Sequence, residues 1–304
     1  MLLSSEREGA WNMKKDMNEI SIFDMRVHPG DSAFLLDDGE TAVLYDTGFG
    51  FTGFGVAENI KKHLGDRPLD YIFLTHSHYD HALGSAYILR YYPNAKVVAG
   101  EHTAQVFQRE GAKRVMKDLD AKHAATCGVT DYPFLGDELR VDVQVRDGDL
   151  IKAGQMEFEV LWLPGHTNCS VGFYCREHAL LLSSESLGVY SGDRLILPAI
   201  LVGCKAALDS IDRVCALPIK KLVLPHRGLL DAWHTEFFLS HCKKATLIAI
   251  DFILSRLRSG MSNEEIVQEF VDKFWHDDVR LKYPKAAIRL NTNIMIDLVR
   301  KEML

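Results

Sequence analysis

The sequence predicts an α+β fold in which two β-sheets pack face to face, with helices outside them and a helical segment at the C-terminus. Short apolar strands recur in both halves of the first 230 residues, for example Tyr71–Leu74 and Lys221–Leu224, and two strand-rich halves of this kind form a layered sandwich. From about Asp231 the pattern is helical only. We therefore predict a sandwich domain over 18–230 and a helical cap over 231–304.

The first half alternates strands, loops and helices. Val56, Ile60 and Leu64 share one face of a helix, and Pro93 ends the next helix. Residues 103 to about 130 are a polar helical stretch, predicted to be a flap or a substrate-facing insertion. The predicted elements of this half are strands 21–24, 33–36 and 41–45, helix 56–64, strand 71–74, helix 82–92 and strand 96–99.

The second half continues with strands and ends in helices. Strands are predicted at 141–145, 156–161, 170–175, 179–182 and 221–224. A long helix over 237–257 ends at Gly260. Ser262 and Glu265 form a capping box for the next helix, and Pro284 begins the last one. We expect this cap either to lean over the active-site face or to pack away from it.

Composition excludes several classes of protein. The 304 residues are 47% hydrophobic and 25% charged, as in globular proteins, and no apolar run is long enough to cross a bilayer. A net charge of -7 with interspersed acids and bases argues against a nucleic-acid-binding surface. Residues 1–17 are polar, which predicts a flexible extension and no signal peptide. Six cysteines without a C-x-x-C pair predict free buried thiols and a cytoplasmic location.

The segment 75–81, Thr-His-Ser-His-Tyr-Asp-His, is the strongest functional motif. It follows a buried strand and holds three imidazoles and one carboxylate, which are donors that Zn²⁺ and Fe accept. Residues i and i+2 of an extended loop point to one side, so His76 and His78 are placed to share one metal ion. A tightening turn then carries Asp80 and His81 to a second ion. We therefore predict a metal site with two ions.

Three further donors each follow an apolar strand: His166 in Pro-Gly-His-Thr, Glu185 after Leu-Leu-Leu-Ser-Ser, and His226 in Pro-His-Arg-Gly. Separate strand ends that deliver donors to one edge of a sandwich can converge without straining the backbone. Most of the 13 histidines are expected to be solvated side chains. No role is assigned to His102, His123, His178, His234 and His241.

The order of these motifs resembles that of the metallo-β-lactamase superfamily, from Ile20 to about Leu229. The resemblance implies a four-layer αββα sandwich with metal ions at one edge. The ligands that it implies are His76, His78 and His166 for a first ion and Asp80, His81 and His226 for a second. Glu185 stands where the family usually has a bridging aspartate. Its extra methylene, about 1.5 Å long, leaves open whether it bridges, binds one ion or only lies nearby.

Other residues are expected to support the ligands or to face the substrate. Asp46 matches the family's first motif, so it is expected to hold the metal-binding loop through hydrogen bonds without binding metal. Thr75 and Thr167, each next to a proposed ligand, are assigned to the same supporting role. The candidates for substrate contact, with ordinary packing as the alternative, are Tyr79, Tyr190 and Arg227.

Such a site predicts a binuclear metal-dependent hydrolase. Two divalent ions with a shared hydroxide polarise a carbonyl or phosphoryl oxygen and stabilise the oxyanion that develops, and the leaving group or Asp80 takes up the proton. Zn²⁺ is the expected ion, and Fe or Mn fits the same ligands. The helical cap is similar to that of the quinolone-signal response thioesterase and less closely to glyoxalase-II-type thioesterases. A small-molecule thioester or other carboxylic ester is therefore ranked first, ahead of lactones, phosphodiesters and β-lactams.

Two alternatives belong to other classes of protein. A flavodiiron-like oxidoreductase has the same fold, but that group normally carries glutamate where His78 stands here. A regulatory protein that binds metal and senses a ligand is the second alternative. Neither nucleic acid nor membrane is expected as a partner, while the apolar faces of the C-terminal helices are compatible with a homodimer.

Overall fold

The structure, a computed structural model, describes residues 20–192 and 194–304; the predicted extension 1–17 lies outside them. Two six-stranded sheets and a two-stranded ribbon make up the β-structure of this part of the chain. Hydrophobic side chains fill the space between the two large sheets, and helices cover their outer faces. The predicted α+β fold, a four-layer αββα sandwich followed by C-terminal helices, is confirmed.

The first sheet is built by the N-terminal half of the chain. Its strands, in chain order and also in order across the sheet, are β1 (Ser21–Asp24), β2 (Phe34–Asp37), β3 (Ala42–Tyr45), β4 (Tyr71–Leu74), β5 (Lys96–Gly100) and β6 (Val143–Val145). β1 to β3 pair antiparallel, and β3 to β6 pair parallel. The carboxyl ends of parallel strands meet at one edge of a sheet. The loops that follow β3 and β4 therefore lie side by side.

The second sheet is built by the later strands. The strands of this half are, in chain order, β7 (Leu150–Ala153), β8 (Met156–Trp162), β9 (Val171–Cys175), β10 (Leu180–Leu182), β11 (Val189–Tyr190), β12 (Ile196–Leu197), β13 (Lys221–Leu224) and β14 (Gly228–Leu229). β11 and β12 form the ribbon, and the others form a sheet in the order β14-β13-β10-β9-β8-β7. All its pairs are antiparallel except the parallel pair β10–β13.

Helices lie outside the two sheets and form the C-terminal cap. They are α1 (Gly53–Leu64), α2 (Tyr79–Ala82), α3 (Gly84–Tyr91), α4 (Glu101–Phe107), α5 (Glu110–Thr126), α6 (Cys204–Cys215), α7 (Ala232–Arg258), α8 (Asn263–Phe274), α9 (Asp277–Lys282) and α10 (Lys285–Met303). Val56, Ile60 and Leu64 are buried on one face of α1, as predicted. Ile211 of α6 and Phe238 of α7 are buried against the second sheet.

Aromatic rings from both sheets meet in the middle of the sandwich. The ring of Phe73 packs 5.3 Å from that of Phe158 and 4.6 Å from that of Phe173, measured between centroids. Such pairs add to the hydrophobic gain of burial, so the two sheets are fixed against each other at this point. Four of the six cysteines are buried, as predicted, but Cys127 and Cys215 are exposed.

Several helix predictions were incomplete. Helix α6 was not predicted, although Ala207, Ile211 and Val214 recur at helical spacing and are buried. The polar stretch 103–130 forms two helices, α4 and α5, with a break between them. The predicted helix 82–92 begins earlier, as the short helix α2, which contains two of the proposed ligands. The hydrophobic periodicity of the sequence did not locate these helix boundaries, because contacts with distant parts of the chain determine them.

The cap packs onto a loop of the sandwich. Helix α7 begins at Ala232, earlier than the predicted 237, and Ser262 with Glu265 forms the predicted capping box. Ala199 and Ile200, in the loop after β12, belong to the same apolar cluster as the buried side chains of α7, α8 and α10. None of the helices described here is long and apolar enough to cross a membrane. A homodimer through these helices stays a prediction.

Gly84 lets the helix after the metal motif approach the loop after β3, and Gly84→Ala tests this contact. The Gly84 N–H donates to Gly48 O, and a Cβ at position 84 would clash with the backbone carbonyl oxygen of Thr47. We expect Gly84→Ala to lower the free energy of unfolding by about 1–3 kcal/mol, as overpacking does, with the loss read from urea denaturation.

Gly111→Ala is the matched control. A Cβ there meets no described atom within 4 Å, and the residue lies in α5. Replacing a helical glycine by alanine stabilises by about 0.5–1 kcal/mol. Equal unfolding midpoints for the two variants would show that the Gly84 contact is unimportant.

Candidate metal centre

The metal motif changes from extended to helical backbone in the middle. His76 follows the end of β4, and His78 has extended torsion angles of φ -68 and ψ 151. The next residues, Tyr79 to Ala82, form the helical turn α2. The rings of His76 and His78 meet edge to face at 4.6 Å. This backbone places two imidazoles on one side and turns Asp80 and His81 toward another, as the spacing predicted.

Seven proposed ligands converge at one edge of the sandwich in two adjoining groups. The first group contains His76, His78, His166 and Glu185, and the second contains Asp80, His81 and His226. Within each group the donor atoms all lie within 4.8 Å of one another. Segments far apart in the chain therefore supply two sets of nitrogen and oxygen donors.

The carboxylate of Glu185 lies between the two groups. Its Oε2 is 2.9 Å from His166 Nε2 in the first group and 3.5 Å from His81 Nε2 in the second. Its Oε1 is 3.3 Å from His226 Nε2. Glu185 begins a short 3-10 turn, 185–187, after Ser184, whose hydroxyl accepts from the backbone of that turn. The longer side chain is therefore accommodated, and both of its oxygens face imidazole nitrogens.

Hydrogen bonds from Nδ1 to oxygen acceptors orient three of the imidazoles. His81 donates to Asp46 Oδ2 at 2.8 Å, His166 to Ala199 O at 2.8 Å, and His226 to Gly30 O at 2.8 Å. These oxygens only accept, so each Nδ1 carries a proton and each Nε2 is the ring nitrogen that faces the other donors.

His76 and His78 complete the ring of donors. Thr75 Oγ1 donates to Asp46 and lies 2.9 Å from His76 Nδ1, so that hydroxyl accepts from the ring. His78 presents its other ring nitrogen to the group: its Nδ1 lies 2.9 Å from His166 Nε2. His76 Nε2, 3.7 Å from Glu185 Oε2, and His78 Nδ1 therefore face the other donors of the first group.

Several buried polar atoms at the centre lack hydrogen-bond partners among the residues described here. They are His76 Nε2, His81 Nε2, His226 Nε2 and Glu185 Oε1. Unpartnered buried polar atoms are rare because they cost desolvation energy without compensation, and metal coordination would satisfy all four. The donor set of imidazole nitrogen and carboxylate oxygen fits Zn²⁺ and also Fe or Mn. These residues therefore fit the metal ions that the fold implies.

Burial favours the neutral form of His76 and His78, which is the form that binds metal, whereas for His81 burial is outweighed by the carboxylates of Asp80 and Asp46, which raise its pKa well above the usual value. Burial, followed by the neighbouring imidazoles, lowers the pKa of His76 and of His78 well below its usual value. Burial raises the pKa of Asp80, while the nearby His81 opposes that change. For Glu185, burial opposes ionisation, but the surrounding histidines, His166 first, hold its pKa well below the usual value.

Asp46 supports the centre without facing it. Its carboxylate accepts from Ser32 Oγ at 2.9 Å, from Thr75 N at 2.9 Å and from Thr75 Oγ1 at 3.0 Å, in addition to His81. The residue is fully buried and has a φ of 52, which is unusual for a residue other than glycine. This geometry matches the predicted supporting role of Asp46 and Thr75.

The other predicted residues differ in where they lie. Thr167 Oγ1 lies 2.7 Å from Ser170 Oγ and stabilises the turn after His166. Tyr79 is half-buried, with its ring 5.6 Å from that of Phe49. Arg227 lies against Gly192: a Cβ on that glycine would meet the guanidinium at 2.9 Å.

Tyr190 requires a correction. It was predicted to contact substrate, but it is 1% exposed and packs against Phe237 and Phe238 of α7. We therefore assign it a packing role between the sandwich and the cap.

The sequence did not reveal the groups outside the motifs that orient the proposed ligands. Ala199 O and Gly30 O orient two ligands, and Arg26 donates to His226 O at 2.7 Å. Backbone acceptors leave no residue signature, so the sequence carries no signal for them.

The cap places Tyr283 within the electrostatic influence of the centre. Burial, then the negative charges of Glu185 and Asp80, raise the pKa of its phenol.

Comparison with known proteins agrees with this geometry. The model of the Metallo-beta-lactamase superfamily matches residues 30–226, and the chain belongs to that superfamily. A metallo-beta-lactamase family protein from Thermus thermophilus superposes with a TM-score of 0.61 at 20% identity, covering 89% of this chain and 88% of that one. A metallo-beta-lactamase superfamily protein from Sulfolobus tokodaii gives 0.57 at 19% identity, covering 90% and 94%.

Curated relatives are similar over different shares of the chain. Glyoxylase B2 of Dictyostelium discoideum is 24% identical over 82% of this chain and 78% of its own length. The probable hydroxyacylglutathione hydrolase glo2 of Schizosaccharomyces pombe is 29% identical over 45% of this chain and 38% of its own length. Acyl-coenzyme A thioesterase MBLAC2 of Gallus gallus is 27% identical over 49% and 54%. The prediction of a hydrolase of this superfamily is confirmed.

Asp46→Asn tests the support of the metal-binding loop. The amide keeps the size of the side chain but replaces one accepting oxygen by an NH2 group. Either His81 Nδ1 or Thr75 then loses its hydrogen-bond acceptor. We expect metal affinity to fall by about 10- to 100-fold, as for other residues that orient ligands. Metal competition with a chromophoric chelator measures the change.

Asp37→Asn is the matched control, because Asp37 is also nearly buried and accepts from Arg67 and His63 at the opposite end of the strands. That variant should lose stability but keep its metal affinity. If both variants kept wild-type metal affinity, Asp46 would not be a supporting residue.

Proposed function

We propose that this protein hydrolyses thioesters at a centre of two divalent metal ions, with Zn²⁺ as the preferred ion. One observation carries the proposal: two groups of donors adjoin each other, and the carboxylate of Glu185 lies between them. A single ion would leave one group unsatisfied. When bound, such ions supply Lewis acidity and lower the pKa of water near neutrality.

The residues of the chain divide the remaining tasks. Five imidazoles face the centre, and as neutral ligands they would hold the ions without adding charge. Asp80 is the more exposed of the two carboxylates, with 18% of its side chain accessible against 2% for Glu185. We therefore assign Asp80 to the side where substrate enters, where its carboxylate is placed to accept a proton during hydrolysis. Glu185 stays buried between the groups.

Relatives support the choice of a thioester. Two of the similar proteins are named for thioester substrates, hydroxyacylglutathione and acyl-coenzyme A. The helical cap packs onto the loop that carries Ala199, next to the ligand His166, as expected for a cap that leans over the active-site face. The resemblance of this cap to that of the quinolone-signal response thioesterase points to the same class of substrate.

His78 favours hydrolysis over the alternative of a diiron oxidoreductase. Its Nδ1 lies among the donors of the first group, 2.9 Å from His166 Nε2. The flavodiiron-like group normally has glutamate at this position. A ligand-sensing protein would bind a small molecule at the same centre but release it unchanged, which a turnover assay distinguishes.

A substrate panel with matched variants tests the proposal. Metal-loaded protein is assayed with S-acyl glutathione, acyl-coenzyme A, a carboxylic oxygen ester and a phosphodiester. We expect the thioesters to be cleaved fastest. His78→Ala should lower kcat/KM by about 100-fold or more, because several kcal/mol of metal stabilisation are lost at about 1.36 kcal/mol per tenfold.

His241→Ala, which removes an exposed imidazole of α7, is the control and should leave hydrolysis unchanged. Tight binding of a thioester without turnover would favour the sensor instead, and faster phosphodiester cleavage would reject the thioester as substrate.

Glu185→Gln tests whether the carboxylate serves both ions. The amide retains the length of the side chain but removes the charge that faces His166, His81 and His226. We expect the metal content after dialysis to fall by about one equivalent relative to the wild type. Glu159→Gln, which removes a partly exposed carboxylate paired with Arg176, should keep the wild-type content. A wild-type metal content in Glu185→Gln would show that this carboxylate does not bridge.

A further inference from the structure

A third group of metal-binding side chains lies outside the dinuclear centre. His28, His123 and Cys127 bring two imidazoles and a thiol together, with donor atoms within 4.8 Å of one another. No role was assigned to His123 from the sequence, and the proposed hydrolysis uses none of the three residues. Unlike the dinuclear centre, this group contains sulfur.

Two of the three residues come from one face of a helix. His123 lies in the last turn of α5, and Cys127 is the residue that caps the helix, with torsion angles of φ -91 and ψ 4. Residues four apart lie above one another on a helix, so the imidazole and the thiol point to the same side. A pair of ligands at this spacing is a recurrent way for a helix to bind metal.

The third residue comes from the loop after β1. Asp31 Oδ2 accepts from the backbone N–H of His28 at 2.7 Å and fixes this loop. The ring of His28 meets that of His123 edge to face at 5.1 Å, and His28 Nε2 lies 3.6 Å from Cys127 Sγ. The loop and the end of α5 therefore bring the three donors together.

The nitrogens of His123 have no other partner in the described part of the chain. Both Nδ1 and Nε2 are buried and make no hydrogen bond there. Burial, and then the neighbouring His28, lowers the pKa of His123 to about 4. A neutral imidazole carries one proton, so one of these two unpartnered nitrogens offers a lone pair to a metal ion.

We propose that His28, His123 and Cys127 bind one thiophilic divalent ion of the Zn²⁺ class, separate from the dinuclear centre. Two imidazoles and a thiolate are ligands that tetrahedral Zn²⁺ accepts, with water in the fourth position. The thiolate distinguishes this site from the dinuclear centre, whose nitrogen and oxygen donors also accept harder ions.

Binding requires two proton changes. The Cys127 thiol releases its proton to solvent as the bond from sulfur to metal forms. His28 Nδ1 now accepts from Gly30 N at 3.0 Å, so its ring proton is on Nε2. For Nε2 to bind a metal ion, the ring would have to shift that proton to Nδ1 and give up the hydrogen bond from the Gly30 N–H. His28 is therefore the weakest of the three ligands, and His123 with Cys127 forms the primary pair.

An ion at this position would join α5 to the loop that supports a ligand of the dinuclear centre. Gly30, two residues after His28, accepts the Nδ1 proton of His226. Phe49 lies between the two regions, with its ring 4.6 Å from His123 and 5.6 Å from Tyr79. The third site is thus a cross-link between the polar insertion and the edge of the sandwich.

Cobalt substitution tests the site on the whole chain, without an activity assay. Thiolate bound to Co²⁺ gives an intense near-ultraviolet charge-transfer band, whereas nitrogen and oxygen ligands do not. We expect this band in the wild type and in Cys169→Ser, and its loss in Cys127→Ser. Cys169 is the matched control because its sulfur lies 3.4 Å from Ser77 Oγ, within the metal motif.

Metal counting gives the second readout. Cys127→Ser and His123→Ala should each bind one equivalent of Zn²⁺ fewer than the wild type and still hydrolyse the same substrates at the same rate. A wild type without the band, or a band that survives Cys127→Ser, would overturn the proposal. If His78→Ala lost hydrolysis but kept the cobalt charge-transfer band, the two sites would bind metal independently of each other.

Discussion

The buried carboxylate of Asp46 is the interaction on which the arrangement of the two donor groups depends. It joins the loops after two neighbouring parallel strands, since Asp46 follows β3 and Thr75 follows β4. A charge that is fully removed from water is stable only when it is paired or hydrogen-bonded, and here four donors from three residues satisfy it. The backbone adds to the same junction: Asp46 N–H donates to Phe73 O, and Thr47 N–H to His81 O, both at 2.8 Å.

A second support comes from the opposite side and connects the cap to the chemistry. His166 donates to the carbonyl of Ala199, and Ala199 packs in the apolar cluster of the cap with Phe270 and Met295. The orientation of one ligand is therefore tied to the packing of the last helices. The cap thus belongs to the architecture of the site, although it provides none of the seven proposed ligands.

The sequence predicted the parts of the molecule whose signals are local. The motif from His76 to His81 concentrates four donors in six positions, and buried strands precede the other donors. Features that depend on distant packing were not predictable: Tyr190, close to a proposed ligand in the sequence, is in the core because α7 covers it. The carbonyls of Gly30 and Ala199 act through backbone atoms, so no residue type could have marked them.

The carboxylate of Glu185 contributes to the charge of the metal centre from a position between the two donor groups. Because a turn begins at Glu185 itself, both oxygens reach imidazoles of the two groups. Only two carboxylates, Asp80 and Glu185, accompany five imidazoles among the proposed ligands. With neutral imidazoles, two divalent ions would therefore keep an excess of positive charge, which would stabilise an oxyanion. Since Glu185 is buried and Asp80 partly exposed, water would screen this excess charge more on the side of Asp80 than on the side of Glu185.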